Sequence, residues 1–242
     1  MILWILGIGV LGLYLSFIMM KKSAGRSVLV TFFGLVLLAS LTLITLNDYQ
    51  NFGMTEHTET KTKTIVSASP SKQLPLLLYQ SIGTNGKRQV YIYKNSDQGK
   101  AAHTKADFAV TNQVRTGTGQ NATLTTAHTT WRYTNSFYQT LFGNENNNIF
   151  VKQHNIFTIP KNWETLTTVQ AKALAKKLQS LQKPTAAQKA QMQQAITAQV
   201  AAARAKNPTM TAAQQAQLVK QVTAKIQQAA IKQAIAEVKQ SK

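Results

Sequence analysis

The sequence predicts a membrane α-hairpin, then a small all-β extracellular domain of sandwich-like or barrel-like form, and finally C-terminal amphipathic α-helices. Residues 1–46 are almost wholly apolar, residues 47–160 are rich in Thr and Asn with scattered aromatic side chains, and residues 161–242 consist largely of Ala, Gln and Lys. We therefore divide the chain into a two-helix transmembrane hairpin, a polar stalk at 47–61, a β domain at 62–160 and a basic helical tail with an internal repeat.

Two uncharged runs, residues 2–20 and 28–46, predict the hairpin. Each has 19 residues, and a helix of that length spans roughly 28 Å, close to the thickness of the hydrocarbon core. A cleaved signal peptide is the alternative for the first run. That run lacks a basic segment ahead of it and an A-x-A-type cleavage site, and a second full-length span follows at once.

The short loop at 21–27 sets the predicted orientation. It carries Lys21, Lys22 and Arg26, whereas the first charged residue after the second span is Asp48. Since positively charged loops stay in the cytoplasm, we expect the loop inside and both termini outside the plasma membrane.

Small residues lie along both spans. Gly7, Gly9 and Gly12 lie on the first predicted helix and Gly34 on the second, and small side chains let helices approach closely. Two interpretations stay open: the two helices pack on each other, or they dock to a larger membrane partner. Neither span contains an ionisable Asp, Glu, His, Lys or Arg, so no proton relay or ion pathway is indicated.

Short β-branched and aromatic runs separated by turn residues predict the β domain. The clearest hairpin joins residues 74–82 to residues 88–93 through an Asn-Gly turn at 83–87. No helical pattern is apparent in this region, and six to eight short strands are typical of a sandwich or barrel. The other predicted strands are 62–67, 107–114, 122–133, 137–142, 149–152 and 155–159.

One aromatic patch is the densest in the β domain. It consists of Trp131, Arg132, Tyr133, Phe137 and Tyr138. The patch could stack on a glycan or another planar group, with the arginine binding an anion. Alternatively, alternate aromatic rings fill the core, and this second interpretation is favoured because the domain has few other large side chains.

The tail predicts three helices. Thr-x-x-Gln capping boxes begin at Thr167, Thr185 and Thr211, and Pro184 and Pro208 precede the second and third boxes. The 16 residues from Thr185 resemble the 16 from Thr211, a repeat with a period of 26 residues.

The tail is also strongly basic. It holds 13 Lys and Arg against 2 Asp and Glu, a net charge of +11 out of the chain's +19. A nucleic-acid partner is not expected, because the predicted topology places the tail outside the cell and no base-reading motif is present. Anionic cell-wall polymers or lipid headgroups would be bound there by weak, salt-sensitive attraction. A solvated spacer is the equally open alternative.

The sequence lacks the residues or motifs that several kinds of catalytic and metal-binding site require. The chain has no cysteine, which fits a surface protein of a Gram-positive bacterium, and its four histidines, at 57, 103, 128 and 154, are widely scattered. Residues 69–72 match S-x-x-K without its companion motifs or a helix. We therefore expect no enzyme, no metal and no cofactor.

Residues 1–160 resemble a family of uncharacterised two-span membrane proteins of lactobacilli, a family catalogued as a domain of unknown function. The hairpin and the segments 75–79, 90–93 and 131–143 carry this resemblance, and the tail looks like an extension beyond the family core. The resemblance supplies no catalytic residues. The resemblance implies that the protein is encoded beside a multidrug-efflux permease of the major facilitator type, which suggests an accessory role.

The sequence thus favours a membrane-anchored, non-enzymatic cell-envelope interaction module. An accessory subunit of a membrane transporter, docking through the hairpin, is the alternative. No oligomeric state follows from the sequence.

Overall fold

The chain folds into two compact units. In this computed structural model the described residues are 1–242 except 70–73, 84, 85, 87, 184, 208 and 241–242, and the side chain of residue 182. The first unit contains Met1–Ile65 and Lys105–Lys161, and the second contains Val66–Thr104 and Asn162–Lys242. Most of the S-x-x-K match, three residues of the predicted 83–87 turn and the two prolines before the capping boxes lie outside the described residues.

Two apolar helices open the first unit. Helix α1 (Ile2–Tyr14) continues as a π-helical turn (Leu15–Met19), and α2 covers Ala24–Gln50. Both helical segments are long and apolar enough to cross a membrane, which confirms the two helices of the predicted hairpin.

A four-stranded sheet follows in the same unit. Its order is β1-β6-β7-β5, with β1, β6 and β7 antiparallel and β5 parallel to β7. The predicted strand at 122–133 is confirmed as β6, and the two predicted strands at 149–152 and 155–159 form the single strand β7. The strands are β1 (Met54–Ile65), β5 (Val110–Gly117), β6 (Ala122–Tyr133) and β7 (Ile149–Pro160).

The predicted strand at 137–142 is wrong, because this segment forms helix α3 (Ser136–Phe142). Asn135 is the N-cap of this helix: its side chain accepts a hydrogen bond from the backbone N–H of Tyr138 at 3.1 Å. Asn is among the best N-cap residues, and its cap outweighs the β preference of the aromatic side chains that follow.

Residues 47–61, where a polar stalk is predicted, contain the last turn of α2, a three-residue turn and part of β1. Most β1 side chains are exposed on both faces of the strand. An edge strand of this kind carries charged and Thr residues instead of an apolar alternation, so its sequence does not show the usual strand pattern.

The second unit contains another four-stranded sheet and three helices. The sheet order is β4-β3-β2-β8, with β8 parallel to β2, and the predicted β2–β3 hairpin is confirmed. The strands are β2 (Leu76–Ile82), β3 (Arg88–Lys94), β4 (Ala101–His103) and β8 (Glu164–Thr167); the helices are α4 (Thr168–Gln182), α5 (Ala186–Lys206) and α6 (Ala212–Gln240).

All three predicted capping boxes are formed. At the first, the Thr167 hydroxyl accepts from the backbone N–H of Gln170 at 3.1 Å, and the Gln170 side chain accepts from the backbone N–H of Thr167 at 3.0 Å. The boxes at Thr185 and Thr211 make the same reciprocal pair of bonds. These bonds satisfy backbone donors that the first helical turn leaves free.

The tail helices complete the core of the second unit. One end of α6 packs with α4 over strands β2 and β8, so the tail is part of a folded unit. The buried cluster consists of Leu74, Leu76, Leu166, Leu174, Ala234, Ile235 and Val238.

The predicted fold class is confirmed at the level of two apolar helices, a β region and C-terminal helices. In the part of the chain that the structure describes, each sheet keeps two edge strands and neither closes into a barrel. The sandwich arrangement stays a prediction.

Candidate functional site where the hairpin meets the first sheet

Two of the predicted packing glycines lie between the hairpin helices. Gly9 is buried, and a Cβ atom there would lie 3.4 Å from Cγ1 of Val36. A Cβ atom on Gly12 would overlap the ring of Phe33. Because these positions leave no room for a larger side chain, the two helices approach each other closely at Gly9 and Gly12.

The other two predicted glycines are less restricted. A Cβ atom on Gly7 would have nothing within 4 Å, and one on Gly34 would make only an ordinary 3.9 Å contact with Leu13. Gly7 is exposed, so packing of α1 on α2 does not require a glycine there.

Arg26, in the first turn of α2, closes the hairpin. Its Nη2 atom donates to the carbonyl oxygen of Phe17 at 2.8 Å, and its guanidinium carbon lies 5.1 Å from the centre of the Phe17 ring. A cation is favourable at the C-terminal end of a helix, where carbonyl oxygens lack partners. Lys21 and Lys22 are exposed, so the three predicted topology-setting cations lie together at this end.

At the opposite end, a tight turn joins α2 directly to β1; we call residues 51–53 the joint. Asn51 has φ +53° and Gly53 has φ +81°, and the left-handed conformation ends α2 and lets β1 begin within three residues. The backbone N–H of Phe52 donates to the carbonyl of Leu46 at 3.1 Å, and the Asn47 side-chain amide donates to the carbonyl of Phe52 at 2.8 Å. The joint is therefore hydrogen-bonded to the last turn of α2.

Asn47 connects the joint to the rest of the first unit. It is only 2% exposed, and its Oδ1 accepts from the Tyr133 hydroxyl at 3.3 Å and from Nδ2 of Asn146 at 3.0 Å. Burial raises the pKa of Tyr133. The hydrogen bond to Asn47 lowers this pKa, whereas the charges of Asp48 and Glu145 raise it further, and the net shift is upward. The hydroxyl therefore stays protonated and donates to Asn47.

An aromatic cluster, defined as Phe52, Tyr133, Phe137, Tyr138 and Phe142, packs beside the joint. The Tyr138 ring lies edge-to-face with Phe52 at 5.7 Å and stacks on Phe142 at 6.3 Å, and Phe142 stacks on Tyr133 at 6.2 Å. Tyr138 also lies against the joint, because a Cβ atom on Gly53 would come within 2.6 Å of its ring. These contacts hold α3 against the turn.

Two members of the predicted aromatic patch lie apart from this cluster. Arg132 donates to Oε1 of Glu59 at 2.5 Å and to Oδ1 of Asn148 at 2.9 Å. The hydrogen bond and charge of Arg132, followed by the charge of Lys61, lower the pKa of Glu59. Trp131 is half-buried and, as its neighbour on the strand, points to the opposite face of the sheet. The anion next to Arg132 is thus the protein's own carboxylate.

Helix α3 also contacts the start of α1. The amino group of Met1 donates to the carbonyl oxygens of Thr140 and Leu141 at 3.1 and 2.9 Å. The end of α3, the start of α1 and the joint after α2 therefore lie at the same end of the hairpin.

Phe52, Phe142 and Asn47 were missed as site residues. Their contacts join segments up to 99 residues apart, which no local pattern reveals. An Asn directly after the second apolar run, with Asn-Phe-Gly four residues further on, is the pattern in the sequence that points to this turn.

The described residues hold no group of three or more His, Asp or Glu side chains placed to bind a metal ion. The backbone of the joint is hydrogen-bonded to Leu46 and Asn47 of α2 and to Met54 and Thr134 of the sheet region, so the arrangement connects helix to sheet. That the chain is not an enzyme and has no cofactor stays a prediction.

The fold and the joint define a class of protein in which an apolar hairpin continues directly into a sheet-containing unit. The family described as Domain of unknown function (DUF4811) matches residues 22–174, more than half of the chain. The chain therefore belongs to this family. The match includes α2, both sheets and the start of α4, and it excludes α1, α5 and α6.

The membership confirms the resemblance to a family of unknown function, whereas the lactobacillar and two-span character of its members stays a prediction. No curated protein and no solved structure matches the chain.

Proposed function

We propose that this protein is a non-enzymatic, membrane-anchored module of the cell envelope. Helices α1 and α2 cross the plasma membrane, and everything from the joint onward lies outside. The observation that carries this proposal is the joint itself, because its hydrogen bonds connect a helix of membrane-spanning length to a folded sheet with no flexible linker between them.

The surface of the hairpin supports insertion into a bilayer. Large apolar side chains along both helices are exposed, among them Ile8, Leu11, Leu35 and Leu38. Each square ångström of apolar surface left in water costs about 25 cal/mol. A lipid environment removes this cost without any further protein contact.

The charge distribution supports the orientation. Lys21 and Lys22 lie between the two helices and Arg26 lies in the first turn of α2, and the positive-inside rule assigns this end of the hairpin to the cytoplasm. Both termini are then outside the cell.

An anionic cell-wall polymer or lipid headgroup is the partner that we propose for the outer part. Helix α5 buries none of its described side chains, and Lys189, Lys206, Lys220 and Lys225 on α5 and α6 are exposed. Attraction between these cations and a polyanion would weaken as the salt concentration rises.

Docking to a membrane transporter is a second candidate, favoured by one observation. Gly7 leaves an open position on the outer surface of α1, where another transmembrane helix could approach closely. Gly7→Leu would abolish co-purification with such a partner, whereas Gly12→Leu would disrupt the hairpin itself and is not informative.

Thiol labelling in intact cells tests the proposal. The chain has no cysteine, so Gln120→Cys, between β5 and β6, and Ser27→Cys, in the first turn of α2, each create a single reactive site. We expect a membrane-impermeant maleimide to label position 120 in intact cells and position 27 only after lysis. The reverse pattern would overturn the orientation, and extraction of the protein by alkaline carbonate would overturn the membrane anchor.

A further inference from the structure

We propose that α3, together with Phe52, forms an interfacial foot that inserts into the outer leaflet of the membrane that the hairpin crosses. The inference rests on the proposed membrane anchor and goes beyond it. It assigns the aromatic cluster a lipid partner and gives the protein a contact with the bilayer surface outside its two spans.

The position of α3 is the first argument. Its last carbonyl oxygens accept hydrogen bonds from the amino group of Met1, which precedes the first residue of α1. Its Tyr138 ring contacts Phe52, two residues after the end of α2. Both ends of the apolar hairpin are therefore next to α3, which places this short helix at the depth where the spans leave the hydrocarbon.

Exposed aromatic side chains at this end are the second argument. Phe137 of α3 is 66% exposed and Phe52 is 40% exposed, and Trp4 and Tyr49 on the spans are 76% and 84% exposed. Aromatic side chains at the ends of membrane spans sit in the interface between lipid tails and water. The exposed rings of α3 and the joint extend this belt beyond the two spans.

The two faces of α3 differ. Tyr138 and Phe142 stack on each other and make the ring contacts with Phe52 and Tyr133. Phe137 packs edge-on against the Tyr138 ring at 5.5 Å and keeps most of its own surface exposed. Gln139 lies about 200° around the helix from Phe137, and its side chain donates to Oδ1 of Asn144. A helix held on one side by the cluster can thus present Phe137 to lipid while Gln139 remains in water.

Charge distinguishes this contact from binding to anionic polymer. The segment Ser136–Phe142 contains no Asp, Glu, His, Lys or Arg. The positive amino group of Met1 on the last turn of α3 is outnumbered by the acidic residues Asp48 and Glu145 close to Tyr133, so the local charge does not favour anionic lipid. The foot therefore enters lipid through the hydrophobic effect. Its insertion should depend neither on anionic lipid nor on salt.

Spin-label accessibility in phosphatidylcholine vesicles containing the full-length protein tests this inference. Phe137→Cys and Gln139→Cys probe the two faces of α3, Leu35→Cys probes the middle of α2, and Gln120→Cys probes the far end of the sheet. We expect the label at 137 to collide with oxygen more often, and with a water-soluble nickel complex less often, than the labels at 139 and 120. The result should be the same at low and high salt.

The possible outcomes separate the two proposals. If position 137 is as accessible to nickel as position 120 while position 35 is shielded from nickel, the interfacial foot is refuted and the membrane anchor stands. If position 35 is also accessible to nickel, the anchor itself is refuted. Protection of position 137 from both reagents would indicate a protein contact in place of lipid and would also overturn the inference. A folding control compares the label at position 120 in Gln120→Cys with the same label in the double variant Gln120→Cys/Phe137→Ser. Equal label mobility in the two proteins verifies that the sheet remains folded when Phe137 is replaced.

Discussion

Replacing Val238 by Ala should destabilise the second unit, even though this residue lies far outside the region that matches the family. Val238 lies in the last turns of α6 and is 1% exposed, within the cluster that includes Leu166 of β8 and Leu174 of α4. If α6 covers this core, a small cavity in α6 must weaken the strands beneath it.

The size of the effect follows from the side chain. The substitution removes two buried methyl groups at about 0.8 kcal/mol each, and the cavity left behind brings the loss to roughly 2 kcal/mol. Alanine has a higher helix propensity than valine and stabilises α6 by roughly 0.5 kcal/mol. The net loss of about 1.5 kcal/mol corresponds to about a tenfold change in the opening equilibrium.

Hydrogen exchange measured by mass spectrometry on the full-length protein in detergent micelles reports this opening. Backbone amides of β2 and β8 should exchange about tenfold faster in Val238→Ala than in the parent protein, since exchange of core amides follows the opening equilibrium.

Val169 provides the matched control. It is also a helical valine of the second unit, in α4, but it is 75% exposed. Val169→Ala should change exchange by no more than about twofold, since surface substitutions stay within about 0.5 kcal/mol. Equal exchange in the two variants would refute the assignment of α6 to the core of the second unit.

Three further predictions concern the first unit. Gly12→Ala should destabilise the hairpin by about 1–3 kcal/mol because the new methyl group meets Phe33, whereas Gly7→Ala should not; thermal unfolding in micelles measures both. Gly53→Ala should cost about 2 kcal/mol, from its positive φ and the contact of the new methyl group with an aromatic ring, and should speed proteolysis at the joint. Glu59→Gln should flatten the acid dependence of hydrogen exchange in β1. In the parent protein the pKa of Glu59 is lowered from 4.5, so the stabilisation by its carboxylate is complete above pH 4.5 and is lost as pH falls through the lowered value.

Each of these predictions has a contradicting result. Equal destabilisation by alanine at Gly7 and Gly12 would show that the helices do not meet at Gly12. Gly83→Ala is the control for Gly53→Ala, since Gly83 has φ +78° but nothing within 4 Å of a Cβ atom. Equal losses of stability in the two variants would show that the contact with the Tyr138 ring contributes nothing. An unchanged acid profile in Glu59→Gln would show that the pair with Arg132 does not stabilise the strand.

Local patterns predicted the elements that local interactions form. Uncharged runs give the two apolar helices, and each Thr-x-x-Gln box works because its two hydrogen bonds link residues only three apart. Strand β6 was predictable because its twelve residues are mostly β-branched or aromatic and are bounded by Gly and Asn turns.

The elements that the sequence did not predict depend on distant partners. Strand β8 has four residues and exists through its parallel pairing with β2, nearly ninety positions away in the chain. Helix α3 has seven residues, too few for a helical period, and its aromatic side chains favour a strand when read alone. The joint depends on Asn47, whose partners Tyr133 and Asn146 are 86 and 99 residues away.

The joint should remain rigid when the hairpin lies in a bilayer. One spin label at Leu38→Cys in α2 and a second at Gln120→Cys at the far end of the sheet report the distance across the joint in lipid nanodiscs. Both labelled positions belong to the first unit. We predict one narrow distance distribution, which broadens when a short Gly-Ser insertion is placed between Phe52 and Gly53. A distance distribution in the parent protein as broad as that of the insertion variant would contradict a rigid connection between the hairpin and the sheet.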